Sequence, residues 1–129
     1  MSLNGAMSVS TSGLSAERFR MDVISSNIAN ANSTQIGAEE PYRRKDVELA
    51  STPEGVQVAQ VVDDQTPFPL KSDPGNPYAD SNGMVKMSNV QPVNEMVDML
   101  SASRAYEANV AAFNTAKGMV KDALTIGKV

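Results

Sequence analysis

The sequence predicts a mainly α protein with a small β insertion: N- and C-terminal heptad helices pairing as a coiled-coil hairpin, joined by a short β-rich middle segment. Three observations predict it. Apolar residues recur at heptad spacing near both ends of the 129-residue chain, and six of its seven prolines fall between residues 33 and 90. Short β-branched runs separated by turn dipeptides occupy the same stretch. These shifts set the expected divisions at 1–32, 33–90 and 91–129.

The first helix follows from stepping alternately four and three residues from Leu3, through Met7, Ser10, Leu14, Glu17, Met21, Ile24, Ile28 and Ala31. Seven of these nine positions are apolar, which places one stripe on a helix face. Gly13 and the many serines weaken the segment as an isolated helix. Asn30-Ala31-Asn32-Ser33-Thr34 ends it, because Asn, Ser and Thr side chains bond the local backbone in competition with the helix. In the middle, Val47 and Leu49 alternate with polar residues, and Val56 to Val62 is rich in β-branched residues, so both read as strands across the turn Thr52-Pro53-Glu54-Gly55. Phe68 and Leu70, then Met84 to Met87, are candidates for further strands. The second helix repeats the arithmetic through Met96, Met99, Ser103, Tyr106, Val110, Phe113, Lys117, Val120 and Leu124, again with seven apolar positions. Pro92 suits its first turn, Glu95 suits the positive end of its dipole, and Lys117, Lys121 and Lys128 suit the other end.

Composition narrows the function. The chain has no Cys, His or Trp, hence no thiol nucleophile, imidazole base or zinc site of the usual kind, and an enzyme is not expected. A net charge of −4 argues against neutralising nucleic-acid phosphates. No stretch is apolar enough for direct membrane insertion. The segment Met1 to Met7 lacks a basic cluster followed by an apolar run, so a cleaved secretory signal is not expected.

Other candidates weigh toward plain structure. Asp80-Ser81-Asn82-Gly83 has the front spacing of a calcium loop without the downstream Glu, and reads as a turn. Glu39-Glu40 and Asp63-Asp64 are adjacent carboxylates whose side chains diverge, a poor acid/base pair. Arg43-Arg44-Lys45 reads as a salt-bridge patch rather than a phosphate site. Asn32-Ser33-Thr34 matches a glycosylation sequon, which carries little without a secretory signal. The two seams can bury each other but leave much of both helices uncovered, so stability is expected to come from other subunits.

The segment Ser12 to Thr34, ending in Ser26-Asn27-Ile28-Ala29-Asn30-Ala31-Asn32-Ser33-Thr34, resembles the N-terminal signature of bacterial flagellar rod, hook and hook-associated proteins. Asn94 to Leu124 resembles the matching C-terminal signature. Asp73-Pro74-Gly75-Asn76-Pro77, Asn82-Gly83-Met84-Val85, Pro41-Tyr42-Arg43-Arg44 and the short length are similar to small rod members of that family. The resemblance implies a structural subunit of the proximal rod of the flagellar basal body, transmitting torque from motor to hook, with no catalysis and no cofactor. It implies export by the flagellar type III apparatus without a cleaved signal, placement in the periplasmic rod, and partners among other rod proteins, further copies of this chain and the inner-membrane ring adaptor. It also implies terminal helices that order on assembly. The assembly interface is then expected at Leu14, Met21, Ile24 and Ile28 against Met99, Tyr106, Val110, Phe113, Val120 and Leu124, with Asn27, Asn30 and Asn32 finishing the first helix and orienting the chain into the β segment. The rival reading from pattern alone is an independent coiled-coil adaptor that forms a small homo-oligomer.

Overall fold

The computed structural model describes residues 2–128. Two long helices, α1 (Leu3–Ala29) and α2 (Pro92–Ile126), enclose four strands in the chain: β1 (Lys45–Thr52), β2 (Gly55–Asp63), β3 (Leu70–Ser72) and β4 (Met84–Lys86). At 1.5 Å per residue the helices measure roughly 40 and 52 Å. Helix α1 begins where the Ser2 hydroxyl accepts the Gly5 N–H at 3.0 Å, one of the donors a helix start leaves unpaired. It ends at Asn30, whose side-chain amide donates to the Ser26 carbonyl at 2.8 Å. Pro92 stands in the first turn of α2, where its missing N–H leaves nothing unpaired.

The helices run antiparallel along one another. Leu3 lies by Val120 and Leu124, Gly13 faces Asn109, and Asn27 meets Glu95. Backbone approach is close near Gly13, where a Cβ would stand 2.7 Å from Asn109 Nδ2. That proximity explains a glycine whose helix propensity alone argues against it.

The seam of α2 differs from the one expected at three of its nine positions. Met99, Tyr106, Phe113 and Val120 face inward or flank the interface, but the sealed alternate positions are Glu95, Ala102 and Ala116, each one residue before the expected Met96, Ser103 and Lys117. Met96 and Lys117 are exposed. At Ala102 and Ala116 the close approach of the helices leaves room for a methyl group but not a longer side chain, whereas Glu95 is sealed through its bonds to Asn27 and Arg44. Ala102 is 0% exposed.

Strands β1 and β2 form an antiparallel hairpin whose two-residue loop is Pro53-Glu54. The register shifts between Glu48 and Leu49, where Ala59 of β2 has no opposite residue, and Leu49, 39% exposed, stands beside Val9, Gly13 and Glu17 of α1. The hairpin lies against α1: the Ser12 hydroxyl accepts the Val56 N–H at 3.1 Å, and Gly55, at φ +129°, presses so near that a Cβ would fall 2.1 Å from Ser12 Oγ. Strands β3 and β4 form a second small antiparallel pair. Phe68 stays outside it, its ring under the Arg43 guanidinium at 4.2 Å. The chain leaving α1 joins the same region, since Thr34 bridges Met87 and Ser33 accepts the Ser88 N–H through its carbonyl.

Candidate functional site

The end of the hairpin where α1 stops and α2 starts holds a buried polar junction. Asn27 is 0% exposed and uses its full hydrogen-bonding capacity. Its Nδ2 donates to the Lys45 carbonyl at 2.8 Å and to Glu95 Oε2 at 3.1 Å. Its Oδ1 accepts the Tyr42 hydroxyl at 2.9 Å and the Lys45 N–H at 3.0 Å. One amide thus ties α1 to α2 and to the strand entering β1.

Glu95, 1% exposed, shares its other oxygen with Arg44 Nε. The Arg44 guanidinium also reaches Asp64 and Asp98, both at 3.4 Å, and Asp46 at 3.8 Å. Burial works against the Arg44 charge, but the hydrogen bond and charge of Glu95, with Asp46 and Asp64, outweigh it and hold the guanidinium pKa above its ordinary value. The Thr66 hydroxyl and N–H, both bonded to the Asp64 carboxylate, hold that group below its ordinary range, with Arg44 adding to the effect. Asn89 closes the junction: its Oδ1 accepts the Arg44 N–H at 2.7 Å and its Nδ2 donates to the Asp64 and Thr66 carbonyls at 3.0 Å. Among the described residues no buried side-chain polar atom lacks a partner. A buried charge is tolerated only when paired in this way, and the arrangement fixes one geometry between helices and β segment.

The expected interface residues fall in three environments. Ile24 and Asn27 are sealed within the chain, and Leu14, Met21, Ile28, Met99, Tyr106, Val110, Phe113 and Val120 are half-buried. Asn30 and Leu124 are exposed, Leu124 beside Leu3 and Asn4 at the start of α1. Asn27 stands one turn inside the end of α1 and points into the junction, where its bonds to Lys45 orient the chain into β1, and Asn30 stands at the helix cap. Glu95 stands in the first turn of α2, at the positive end of the dipole as expected, and is there the sealed partner of Arg44. The basic run is a salt-bridge patch, as its composition suggested. Sequence reasoning missed Tyr42, Asp64, Asn89 and Glu95 as a group, because their partners lie 15 to 68 residues away. The Asp80 carboxylate accepts the Asn82 and Met84 N–H groups, the bonding of a turn.

Much apolar surface on α2 has no partner within the chain: Val93, Met96, Val97, Leu100, Met119 and Ile126 are all more than half exposed. Among the described residues no helix is long and apolar enough to cross a membrane, and no cluster of acidic residues is arranged to hold a metal ion.

Comparison with known proteins agrees at both ends. A family model described as flagella basal body rod protein matches residues 7–35, and one described as flagellar basal body rod FlgEFG protein C-terminal matches residues 81–126. The flagellar basal-body rod protein FlgC of Bacillus subtilis is 43% identical over 145 aligned positions, covering 95% of this chain and 97% of that protein. Those of Salmonella typhimurium and Yersinia enterocolitica are 43% and 44% identical over 134 positions, each covering 99% of this chain and 100% of the relative.

Proposed function

Because the chain belongs to the FlgC family of flagellar basal-body rod proteins, being a structural rod subunit of the basal body, we propose that it builds the proximal rod and transmits torque from motor to hook. Assembly is heterologous: each subunit offers one surface to a different surface of the next, so the contacts wind into a tube rather than closing. The observation that carries this reading is the outer face of α2, which keeps large apolar side chains in water after α1 has packed on its inner face. Exposed apolar area on this scale is covered by other subunits.

The inner seam holds the hairpin as a coiled coil, and Leu14, Met21, Ile24, Ile28, Met99, Tyr106, Val110, Phe113, Val120 and Leu124 link helices within the chain and, where half-exposed, between neighbours. Residues 1–32 and 91–129 act as one assembly domain and 33–90 as a small β-rich module clamped to it by Asn27, Arg44 and Glu95. The subunit reaches the periplasmic rod through the flagellar type III export apparatus without a cleaved signal. Its partners are other rod proteins, copies of itself and the inner-membrane ring adaptor, and it needs no cofactor and performs no catalysis.

The test is mass spectrometry of purified hook-basal bodies from cells carrying this chain, with peptides from both ends as targets. A fixed ratio to other rod proteins is the expected result. Absence from otherwise complete particles would overturn the reading.

A further inference from the structure

We infer that Asn82 is a site of spontaneous, irreversible modification, open to reaction while the chain is unfolded and closed by the turn that Asp80 builds around it. Asn82 precedes Gly83, as Asn4 precedes Gly5, and these are the two Asn-Gly pairs of the chain. A glycine has no Cβ to screen its backbone nitrogen, so that nitrogen is free to attack the side chain of the asparagine before it. The Gly83 nitrogen bonds to Asn82 Cγ and gives up its proton, the Cγ–Nδ2 bond breaks, and the amide nitrogen leaves with that proton as ammonia. Water then opens the cyclic imide at one of its two carbonyls. Opening at Cγ leaves aspartate, and opening at the main-chain carbonyl leaves isoaspartate, whose backbone runs through Cβ and Cγ.

The fold requires the reactive glycine. Gly83 stands at φ +74°, and a Cβ there would lie 3.2 Å from Pro74 Cγ. The same turn withholds the attacking nitrogen. The Gly83 N–H donates to the Asp80 carbonyl at 3.0 Å, which engages the proton the reaction must release. Asp80 Oδ1 accepts the N–H groups of Asn82 at 2.8 Å and Met84 at 2.9 Å, and the Asp80 N–H donates to the Met84 carbonyl at 2.9 Å. The Gly83 carbonyl accepts the Asp73 N–H at 2.8 Å. A bond from residue i+3 back to residue i, with negative φ at Asn82 and positive φ at Gly83, is a type I turn followed by a one-residue bulge. In that turn ψ of the residue before the glycine is about 0°, which turns the Gly83 nitrogen away from the Asn82 side chain that ring closure must bring to it. Asn82 itself is exposed, so backbone geometry and not exclusion of water is the guard. Isoaspartate lengthens the path into β4 by one atom and draws the Gly83 carbonyl off Asp73, so a chain that has reacted while unfolded does not rebuild the turn.

The purified full-length chain is held at mildly alkaline pH in an osmolyte excluded from protein surfaces and, in parallel, in urea. Peptides are then mapped by mass spectrometry for conversion of amide to acid, and for isoaspartate, at Asn82 and Asn4. In the parent chain Asn82 should convert at least about tenfold more slowly in the osmolyte than in urea, because reaction waits on local opening of the turn. Equal rates in the two solutions overturn the inference. Asp80→Ala removes the acceptor of two N–H groups and should speed conversion of Asn82 in the osmolyte toward its rate in urea, with Asn4 unchanged. Asp80→Asn keeps an acceptor oxygen at that place and should keep the protection. Unchanged protection in Asp80→Ala, or equal acceleration at Asn4, overturns the role given to Asp80.

Discussion

Replacing Asn27 by alanine removes four hydrogen bonds at one stroke. The loss is uneven. Glu95 is sealed, so its carboxylate oxygen is left without the Asn27 donor in a place water does not reach, which costs about 1–3 kcal/mol. Tyr42 and Lys45 are half-buried, and water can take up part of their lost bonding, leaving roughly 0.5–1 kcal/mol for each bond. The expected destabilisation is about 3–5 kcal/mol, a large share of the roughly 5–15 kcal/mol a domain commands. For a chain of this size that lowers the melting temperature by on the order of 10 °C or more. The assay is urea unfolding of the purified chain followed by far-ultraviolet circular dichroism, in an excluded osmolyte that keeps the terminal helices folded. Asn30→Ala is the control, since Asn30 is exposed and makes one side-chain bond, to Ser26. If Asn27→Ala and Asn30→Ala fall within about 0.5 kcal/mol of each other, the junction does not hold the fold together.

Three further outcomes are expected. Ile24→Asp and Phe113→Asp each place a charge in the helix interface at more than about 3 kcal/mol, so electron microscopy should find no complete rods although the chain is still made; normal basal bodies would contradict the seam. Gly55→Ala should destabilise by about 2–4 kcal/mol, because φ of +129° strains any side chain and the new Cβ strikes Ser12, whereas Gly13→Ala should be far milder, since Asn109 is a side chain that can move aside; equal urea midpoints for the two would refute this. The Asp64 carboxyl, held below its ordinary 3.8 in the folded chain, contributes stability that is fully present above that value and is lost as pH falls through the lower folded value. The parent should therefore lose urea resistance over that acid range, and Asp64→Asn should show a flatter profile there.

Periodicity made the helices legible because a stripe at heptad spacing is a local property of the chain. Proline at the start of α2, asparagine at the end of α1 and the turn at Pro53-Glu54 were legible for the same reason: each acts on backbone within a few residues. The inner seam of α2 was read only in part. Hydrophobicity selected Met96, but proximity of the helices selected Ala102 and Ala116, and the partners Asn27 and Arg44 selected Glu95; both are properties of distant segments brought together. The irregularity between Glu48 and Leu49 was not legible, because it belongs to the pairing of β1 with β2 and not to either strand alone.

The sequence by itself determined that two helices with apolar stripes would bracket a small β segment, that the chain carries no thiol or imidazole side chain, and that its end motifs resemble those of rod proteins. Only the tertiary structure decided the polar junction. Asn27, Tyr42, Arg44, Asp64, Asn89 and Glu95 are ordinary polar residues in the linear chain, and nothing in their spacing joins them. Folding carries them out of water together, and a buried charge or amide must then find its partner among whatever the fold brings within reach.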